Sequence, residues 1–374
     1  MNKFITIYDK YIFKQILFTT FVAILLFTVV WIAPEMLLKV IKHILTHEIT
    51  AKTGLLILIC EVPKILGKAF PVGLLLGSLF TFDKLSKDSE LTIFRAVGMS
   101  FAQIMKPVLV LSAIITVLCF ITYDKLIPWS CQKLIDIKGE GTVTQYIYTR
   151  KDENNNLRES VIVSKFQREV MEHIIIIDFD EHIFNDLHGI ENVMVAETGK
   201  KGFTKEGEPC WIMNDIISYD INENGIFSNV RHIKTKNILV GEAADNAYTI
   251  MINATKRDRE INNRDLKAYV KLLKDESLDE EYRLYYNKYL QRFLHPLVCI
   301  LLAVLGCLLG FSKPREQRLI GFTIAIACIF AYYITLPFFD LMAEKGVISP
   351  ILSASIPPFA FLCAIIAFYK TRDL

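Results

Sequence analysis

The sequence predicts an α-helical membrane protein with six transmembrane helices and an inserted all-β domain. The chain is 52% hydrophobic and its mean hydropathy is +0.36. The apolar residues are concentrated towards both ends and leave a polar middle, roughly residues 130–290. A transmembrane helix needs about 20 apolar residues, and the two ends provide six such stretches. This layout is typical of a membrane protein with one large extramembrane insert.

The six predicted spans are roughly 12–34, 54–82, 102–127, 293–312, 317–339 and 349–369. The first lacks a small-residue cleavage site, so it is predicted to be a retained anchor. The second is too long to lie wholly in lipid, and Glu61, Lys64 and Lys68 fall in its first half. We therefore expect that half to lie at the membrane surface. The part that crosses the membrane is then predicted over about 70–82.

The charges near the span ends predict the orientation. Lysine and arginine are more numerous in the segments on the side of the two termini, for example at Lys84, Lys87 and Arg95. The positive-inside rule then places both termini inside and the large insert outside. The net charge of +2 indicates no particular partner. No basic stripe interleaved with aromatic residues is present, so nucleic-acid binding is not predicted.

The polar insert has the pattern of an all-β sandwich or open barrel. Turn-rich pieces separate short strand-like runs. These runs are 143–149, 160–166, 173–179, 191–196, 210–221 and 247–253. From 264 onwards the pattern is helical and charged, with Leu266, Tyr269, Val270 and Leu273 at helical spacing. This part is predicted to form connector helices that return the chain to the membrane.

The eight cysteines do not form a disulfide framework. Six lie in apolar spans, where small buried thiols are common. Cys131 and Cys210 lie in or beside the insert and could pair in an oxidising compartment. No CxxC or histidine-rich spacing is present, so we expect neither a metal nor another cofactor.

A short charged segment between the second and third spans, 85–98, is predicted to be an amphipathic helix that a soluble partner can bind. Ser86 or Asp88 can cap its start, and Gly98 can end it. An ordinary loop helix with solvated charges is the alternative interpretation. The candidate contact residues are Ser86, Asp88, Ser89, Glu90, Leu91, Phe94 and Arg95.

The run 85–91, Leu-Ser-Lys-Asp-Ser-Glu-Leu, closely resembles the cytoplasmic coupling region of the LptF/LptG permeases, which export lipopolysaccharide. The opening run 8–12, the Gly-Val-Ile-Ser-Pro run at 346–350 and the plan of three spans, β domain and three spans resemble that family as well. The residues Ile-Pro-Pro at 356–358 depart from the family pattern.

The resemblance implies a domain organisation. The first three spans occupy 1–127, and a periplasmic β-jellyroll domain occupies 128–262. Connector helices follow at 263–292, and the last three spans at 293–374. The family's glutamate that matches Glu90 faces the ATPase.

The resemblance also implies the partners. A second LptF/LptG-type chain would complete a hetero- or homodimer. A dimer of a cytoplasmic LptB-type ATPase would drive it, and periplasmic jellyroll bridge proteins of LptC/LptA type would receive the lipopolysaccharide. The chain would lie in the bacterial inner membrane. It has no GxxxxGK[ST] phosphate loop, so ATP is expected on the partner and the chain itself is not expected to be an enzyme.

Three lysines are candidates for contact with the lipid substrate. Lys39 and Lys42 follow the first span, and a lysine is a good point-charge partner for lipid phosphate. The resemblance implies such basic residues at this place; lysines that snorkel to the membrane surface are the alternative. Lys64 is the third candidate, and a local pair with Glu61, three residues earlier, is its alternative.

Two other functions fit the same sequence features. A mechanotransmission-type ABC permease would also combine spans, a coupling helix and an outer domain, but it typically has four spans. A membrane-anchored scaffold with a periplasmic β domain would have no ATPase partner. Bound lipid cargo in the purified complex favours export, whereas ATPase without cargo favours mechanotransmission.

Overall fold

The structure is a computed structural model that describes residues 7–32, 36–138, 146–151, 157–167, 170–179, 190–222, 226–238, 242–254, 256–311 and 319–371. These residues form two compact units. The first, which we call the membrane unit, contains the described residues within Met1–Ile137, Asn262–Val270 and Ser277–Leu374. The second contains those within Lys138–Ile261 and Lys271–Glu276.

The helices include six that are long and apolar enough to cross a membrane, counted over the described residues. The helices are α1 (Ile7–Ile32), α2 (Leu38–Leu45), α3 (Ala51–Lys87), α4 (Glu90–Ala96), α5 (Phe101–Ile121), α6 (Ile127–Lys138), α7 (Glu242–Ala254), α8 (Asn263–Asp275), α9 (Asp279–Gly310), α10 (Leu319–Glu344) and α11 (Pro350–Thr371). The candidate spans are α1, α3, α5 with its continuation into α6, α9, α10 and α11. The predicted number of spans is confirmed.

Helix α3 is longer than the predicted second span and is one helix from Ala51 to Lys87, while the position of its first half at the membrane surface stays a prediction. The Thr50 side chain accepts the backbone N–H of Thr53 and caps its start, while Pro63 and Pro71 lie inside it. No break separates a surface segment from a span at about residue 70. Similarly, α9 begins at Asp279 and so includes much of the predicted connector.

The centre of the membrane unit is the close packing of α9 on α3. A Cβ atom at Gly306 would overlap the carbonyl oxygen of Leu75, and one at Gly310 would lie 2.5 Å from that of Leu79. Small residues four apart allow this approach of two backbones, as in many membrane helix pairs. The chain therefore needs glycine at both positions to bring the second and fourth spans together.

Helix α1 packs on α3 in a similar way. A Cβ atom at Gly77 would lie 2.7 Å from the Cα of Thr20. Beside this contact, the hydroxyls of Thr19 and Thr81 lie 2.7 Å apart. The two hydroxyls also lie within hydrogen-bond distance of the Gly77 carbonyl oxygen, at 3.1 and 2.8 Å. Glycine and interhelical hydroxyls thus fix the first span against the second.

The second unit contains one antiparallel sheet with the strand order β1-β2-β3-β4-β5-β6. Its strands are β1 (Tyr146–Lys151), β2 (Leu157–Gln167), β3 (Val170–Phe179), β4 (Ile190–Phe203), β5 (Pro209–Ile221) and β6 (Phe227–Ile238). The predicted all-β insert is confirmed. Its described strands form a meander, in which each strand pairs with its neighbours in the chain. One buried row across the sheet consists of Val163, Ile174, Ala196 and Ile216.

Two parts of this unit differ from the sequence prediction. The run 247–253, predicted to be a strand, lies in α7, where Ala247, Ile250 and Met251 are buried at helical spacing. Strand β6 was not predicted, because its side chains are exposed almost throughout and give no alternation of apolar residues. The predicted strand 143–149 begins at Tyr146 in the structure, and residues 143–145 lie outside the described residues.

Cys131 on α6 and Cys210 on β5 are both buried thiols in the structure. Cys131 belongs to the first unit and Cys210 to the second, and their pairing stays a prediction.

Candidate functional site

The candidate site is the segment between α3 and α5. The structure divides the predicted helix 85–98 into two parts, because α3 continues to Lys87 and α4 begins only at Glu90. Asp88 ends α3, and Ser89 follows with φ of 59°. This left-handed conformation is uncommon outside glycine and interrupts the helix. The N-cap of α4 is Ser89, so neither Ser86 nor Asp88 caps it as predicted. Gly98 follows the end of α4 with φ of 89°.

One side of α4 is packed into the membrane unit. Leu91 is only 2% exposed and belongs to the same apolar cluster as Ile12 and Phe82. The ring of Phe94 packs against this cluster, 6.1 Å from the ring of Tyr8. The helix is therefore held on α1 and α3 by burial of its own apolar residues.

Glu90, the first residue of α4, is directed towards α1. Its Oε1 accepts a hydrogen bond of 2.9 Å from the hydroxyl of Tyr11. Sequence reasoning expected Glu90 to face a soluble partner and gave Tyr11 no role. The only sequence signal for Tyr11 was its place in the opening run of the family resemblance.

The opposite side of α4 is an exposed apolar surface. Ile93 is 58% exposed and Val97 is 77% exposed. The two side chains are four residues apart and so lie on one face of the helix end. Asp88, before the helix, and Arg95, within it, are exposed as well. We call the surface of Ile93 and Val97 the α4 outer face.

The remaining candidate residues of this segment have intramolecular contacts. Ser86 is buried and its hydroxyl donates to the carbonyl of Gly310 over 3.4 Å. The guanidinium of Arg95 lies 5.7 Å from the ring centroid of Phe311. Ser86 thus joins α3 to the end of α9, and Arg95 reaches the residue that follows α9.

The two lysines predicted after the first span lie on α2. Lys39 and Lys42 are both exposed and are three residues apart on this short helix. Val40 attaches the helix to α3, since a Cβ atom at Gly54 would lie 2.9 Å from it. Exposed apolar residues, Leu38 and others, flank the lysines. Such a helix suits a boundary between water and lipid.

Lys64 has a different environment. Its Nζ lies 3.0 Å from the carboxylate of Glu61, and the two side chains are only 19% and 13% exposed. This is the local pair weighed from the sequence, and it neutralises the charge of the lysine. Of the three candidate lysines, Lys39 and Lys42 offer exposed charges.

A polar cluster between α9 and α10 was missed from the sequence. Asp340 on α10 accepts hydrogen bonds from Asn287, Lys288 and Gln291 of α9. The spacing of those three polar residues on one helical face was the available signal. The cluster ties the fifth span to the fourth.

These features define a polytopic membrane protein with an inserted antiparallel β domain and a short surface helix between two spans. The family model for the lipopolysaccharide export system permease LptF/LptG matches residues 10–371. The match extends over nearly the whole chain, and the chain belongs to this family. It is therefore a transport permease of the bacterial inner membrane and a membrane subunit of lipopolysaccharide export. No curated protein matches the sequence.

Proposed function

We propose that the chain is the transmembrane permease subunit of an ABC transporter that extracts lipopolysaccharide from the inner membrane. A separate cytoplasmic ATPase of LptB type powers it and binds the ATP. A second LptF/LptG-type chain completes the membrane part, and a periplasmic bridge of LptC/LptA type receives the lipid. Both termini are then cytoplasmic and the β domain is periplasmic.

The observation that carries this proposal is the α4 outer face. Leu91 and Phe94 fix the inner side of the helix, while Ile93 and Val97 remain exposed on the other. Exposed aliphatic side chains gain about 25 cal/mol for each Å² that a partner covers. The α4 outer face therefore suits a soluble subunit that presses on the membrane unit.

The transport step follows from the packing of α4. Closure of the ATPase dimer on ATP pushes α4, which is seated on the cluster that includes Ile12 of α1 and Phe82 of α3. The spans then move together, and a cavity between the two permease chains becomes smaller. Lipid held in that cavity is expelled towards the β domain.

Lys39 and Lys42 suit the phosphates of the lipid head. Both are exposed on α2, next to the end of the first span. A lysine ammonium attracts phosphate as a point charge. Lys64, already paired with Glu61, would have to exchange partners to do the same.

Strand β6 suits the bridge proteins. It is an edge of the sheet, and an edge strand presents unpaired backbone groups to which a further strand can bond. A sheet that continues into a neighbouring β domain gives the lipid an unbroken path.

The first experiment is affinity purification of the tagged chain from its native membranes in mild detergent, with identification of the bound proteins. Ile93→Asp and Val97→Asp place a charge on the α4 outer face, and Glu90→Ala tests the residue expected from the family. Val347→Asp is the matched control, since Val347 is 65% exposed in the turn after α10. We expect an ATPase with the wild type and the control, its loss with Ile93→Asp and Val97→Asp, and its loss or weakening with Glu90→Ala.

Absence of an ATPase from the wild type would favour the scaffold interpretation. Recovery of the ATPase with both Ile93→Asp and Val97→Asp would exclude the α4 outer face as its docking surface. Lipopolysaccharide in the purified wild-type complex would support export over mechanotransmission, and an ATPase complex without lipid would support the reverse.

A further inference from the structure

The contact between α1 and α4 joins two distant parts of the chain. The hydroxyl of Tyr11 donates to Oε1 of Glu90 over 2.9 Å, across a separation of 79 residues. A hydrogen bond to a charged acceptor is stronger than one between neutral groups. The pair therefore links the beginning of the first span to the first residue of the helix that we expect the ATPase to press.

A second contact runs beside the first. The rings of Tyr8 and Phe94 are 6.1 Å apart. Tyr8 and Tyr11 are three residues apart on α1, and Glu90 and Phe94 are four apart on α4, so each pair lies on one helical face. Two parallel contacts fix the direction of α4 relative to α1 as well as its position.

The backbone attachments of α4 increase the importance of these side chains. Ser89 before the helix and Gly98 after it both have positive φ, at 59° and 89°. The helix is therefore not a continuation of α3 or α5. Its position depends on side-chain packing, in which Leu91 is buried and the contacts to α1 lie beside it.

We infer that Tyr11 is a positioning residue that holds the Glu90 carboxylate and so transmits displacement of α4 to the first span. This inference rests on the proposed function. From α1 the displacement passes to α3 through the close contact of Thr20 with Gly77. The ionised carboxylate has two oxygens with about four acceptor sites, so Glu90 can be held by Tyr11 and still accept a donor from the ATPase.

The test is a double-variant cycle on the complete complex. Tyr11→Phe removes only the donor hydroxyl, and Glu90→Leu removes the acceptor carboxylate with a side chain of similar size. Tyr369→Phe removes an exposed tyrosine hydroxyl near the end of α11 and serves as the control. Each complex is placed in proteoliposomes that contain purified lipopolysaccharide and the bridge protein. The amount of ATPase bound, the ATP hydrolysed and the lipid extracted are measured in the same sample.

We expect Tyr11→Phe to bind the ATPase in the wild-type ratio and to hydrolyse ATP, but to extract about three- to fivefold less lipid per ATP. This range corresponds to about 0.6–1 kcal/mol, which is within the net contribution of one hydrogen bond. The double variant should extract no less lipid per ATP than Glu90→Leu alone, because both changes remove the same hydrogen bond. Tyr369→Phe should match the wild type.

The inference is overturned by wild-type lipid extraction per ATP in Tyr11→Phe, or by effects of the two changes that multiply in the double variant. Loss of the ATPase from Tyr11→Phe would also overturn it, because Tyr11 would then serve assembly rather than transmission. Failure of the proposed function is distinguishable, since the wild-type complex itself would then contain no ATPase or extract no lipid.

Discussion

The amide of Asn287 on α9 donates a hydrogen bond of 2.7 Å to the carboxylate of Asp340 on α10. Lys288 and Gln291 donate to the same carboxylate. Charged groups at or near membrane depth are costly unless they are paired. The Asp340 cluster therefore contributes to the attachment of α10, a helix whose most apolar stretch is otherwise little buried.

Asp340→Ala should lower the stability of the membrane unit by about 1–3 kcal/mol, because the donors around the carboxylate lose their acceptor. Lys288→Ala should cost less, since Asn287 and Gln291 still pair with Asp340. The apparent unfolding temperature in detergent measures both, with exposed Lys345→Ala as the control. Equal values for Asp340→Ala and the control would show that the cluster does not stabilise the fold.

Gly306→Ala should destabilise the packing of α9 on α3. The added Cβ would overlap the Leu75 carbonyl oxygen and the Ser78 hydroxyl. Backbone atoms cannot move aside as a flexible side chain can, so the cost should be at least about 1–3 kcal/mol. Ala327→Val adds volume at an exposed position of α10 and is the control. Retained yield and thermal stability of Gly306→Ala would contradict the close approach.

Asp178→Asn should stabilise the β domain at neutral pH. Burial raises the pKa of the Asp178 carboxyl above its usual range, and the charge of Glu191 adds to the effect. The folded state therefore binds this proton more tightly than the unfolded state. The stability of the β domain falls as the pH rises from the pKa of the carboxyl in the unfolded chain to its higher pKa in the folded protein. Asparagine carries no charge and avoids this loss of stability. The stabilisation by Asp178→Asn should therefore be present at pH 7 and absent below the pKa of the carboxyl in the unfolded chain.

Hydrogen exchange of the β3 and β4 peptides in the full chain measures this difference. Asp220→Asn is the comparison, because Asp220 pairs with Arg231 over 2.6 Å and its neutralisation should destabilise by up to about 1 kcal/mol. The variant and the wild type are compared at each pH. If Asp178→Asn slows exchange relative to the wild type no more at pH 7 than at acidic pH, the burial of an unfavourable charge at this site is refuted.

Replacement of Lys39 and Lys42 together by glutamine should weaken binding of lipopolysaccharide, with a smaller effect at high salt. At 0.1 M ionic strength, salt largely screens the interaction between exposed charges that are more than about 10 Å apart. Lys52→Gln changes another exposed lysine, near the start of α3, and is the control. Titration of the purified chain with lipopolysaccharide at two salt concentrations provides the measurement. An equal loss in the control would indicate general charge attraction without a site on α2.

Much of the fold could be predicted from local patterns. Hydropathy identified the six spans because a helix in lipid must carry about 20 apolar residues in a row. The strands with buried faces, such as β3 and β5, were found for the same kind of reason. Strand β6 was missed because an exposed edge strand needs no apolar alternation, and α7 was assigned as a strand because short apolar runs fit both structures.

The site was predicted as a segment but not in its geometry. The run 85–91 predicted a coupling segment, yet it could not show that α3 continues to Lys87 or that Ser89 turns the chain. The length of α3 and the turn at Ser89 both depend on packing. Leu85 is buried in the apolar cluster of the spans, so the helix continues through it. The role of Glu90 towards a partner stays a prediction, and the residue it contacts in the structure, Tyr11, lies 79 residues away in the chain.

The sequence by itself determined the membrane class, the six spans, the inserted β domain and the family, because each is written in local composition or in a contiguous run of residues. Only the tertiary structure decided which groups meet: Tyr11 with Glu90, Asn287 with Asp340, Gly306 with the backbone of Leu75. Such contacts join residues that are far apart in the chain. Their formation depends on the angle and depth at which whole helices pack, which no single segment specifies.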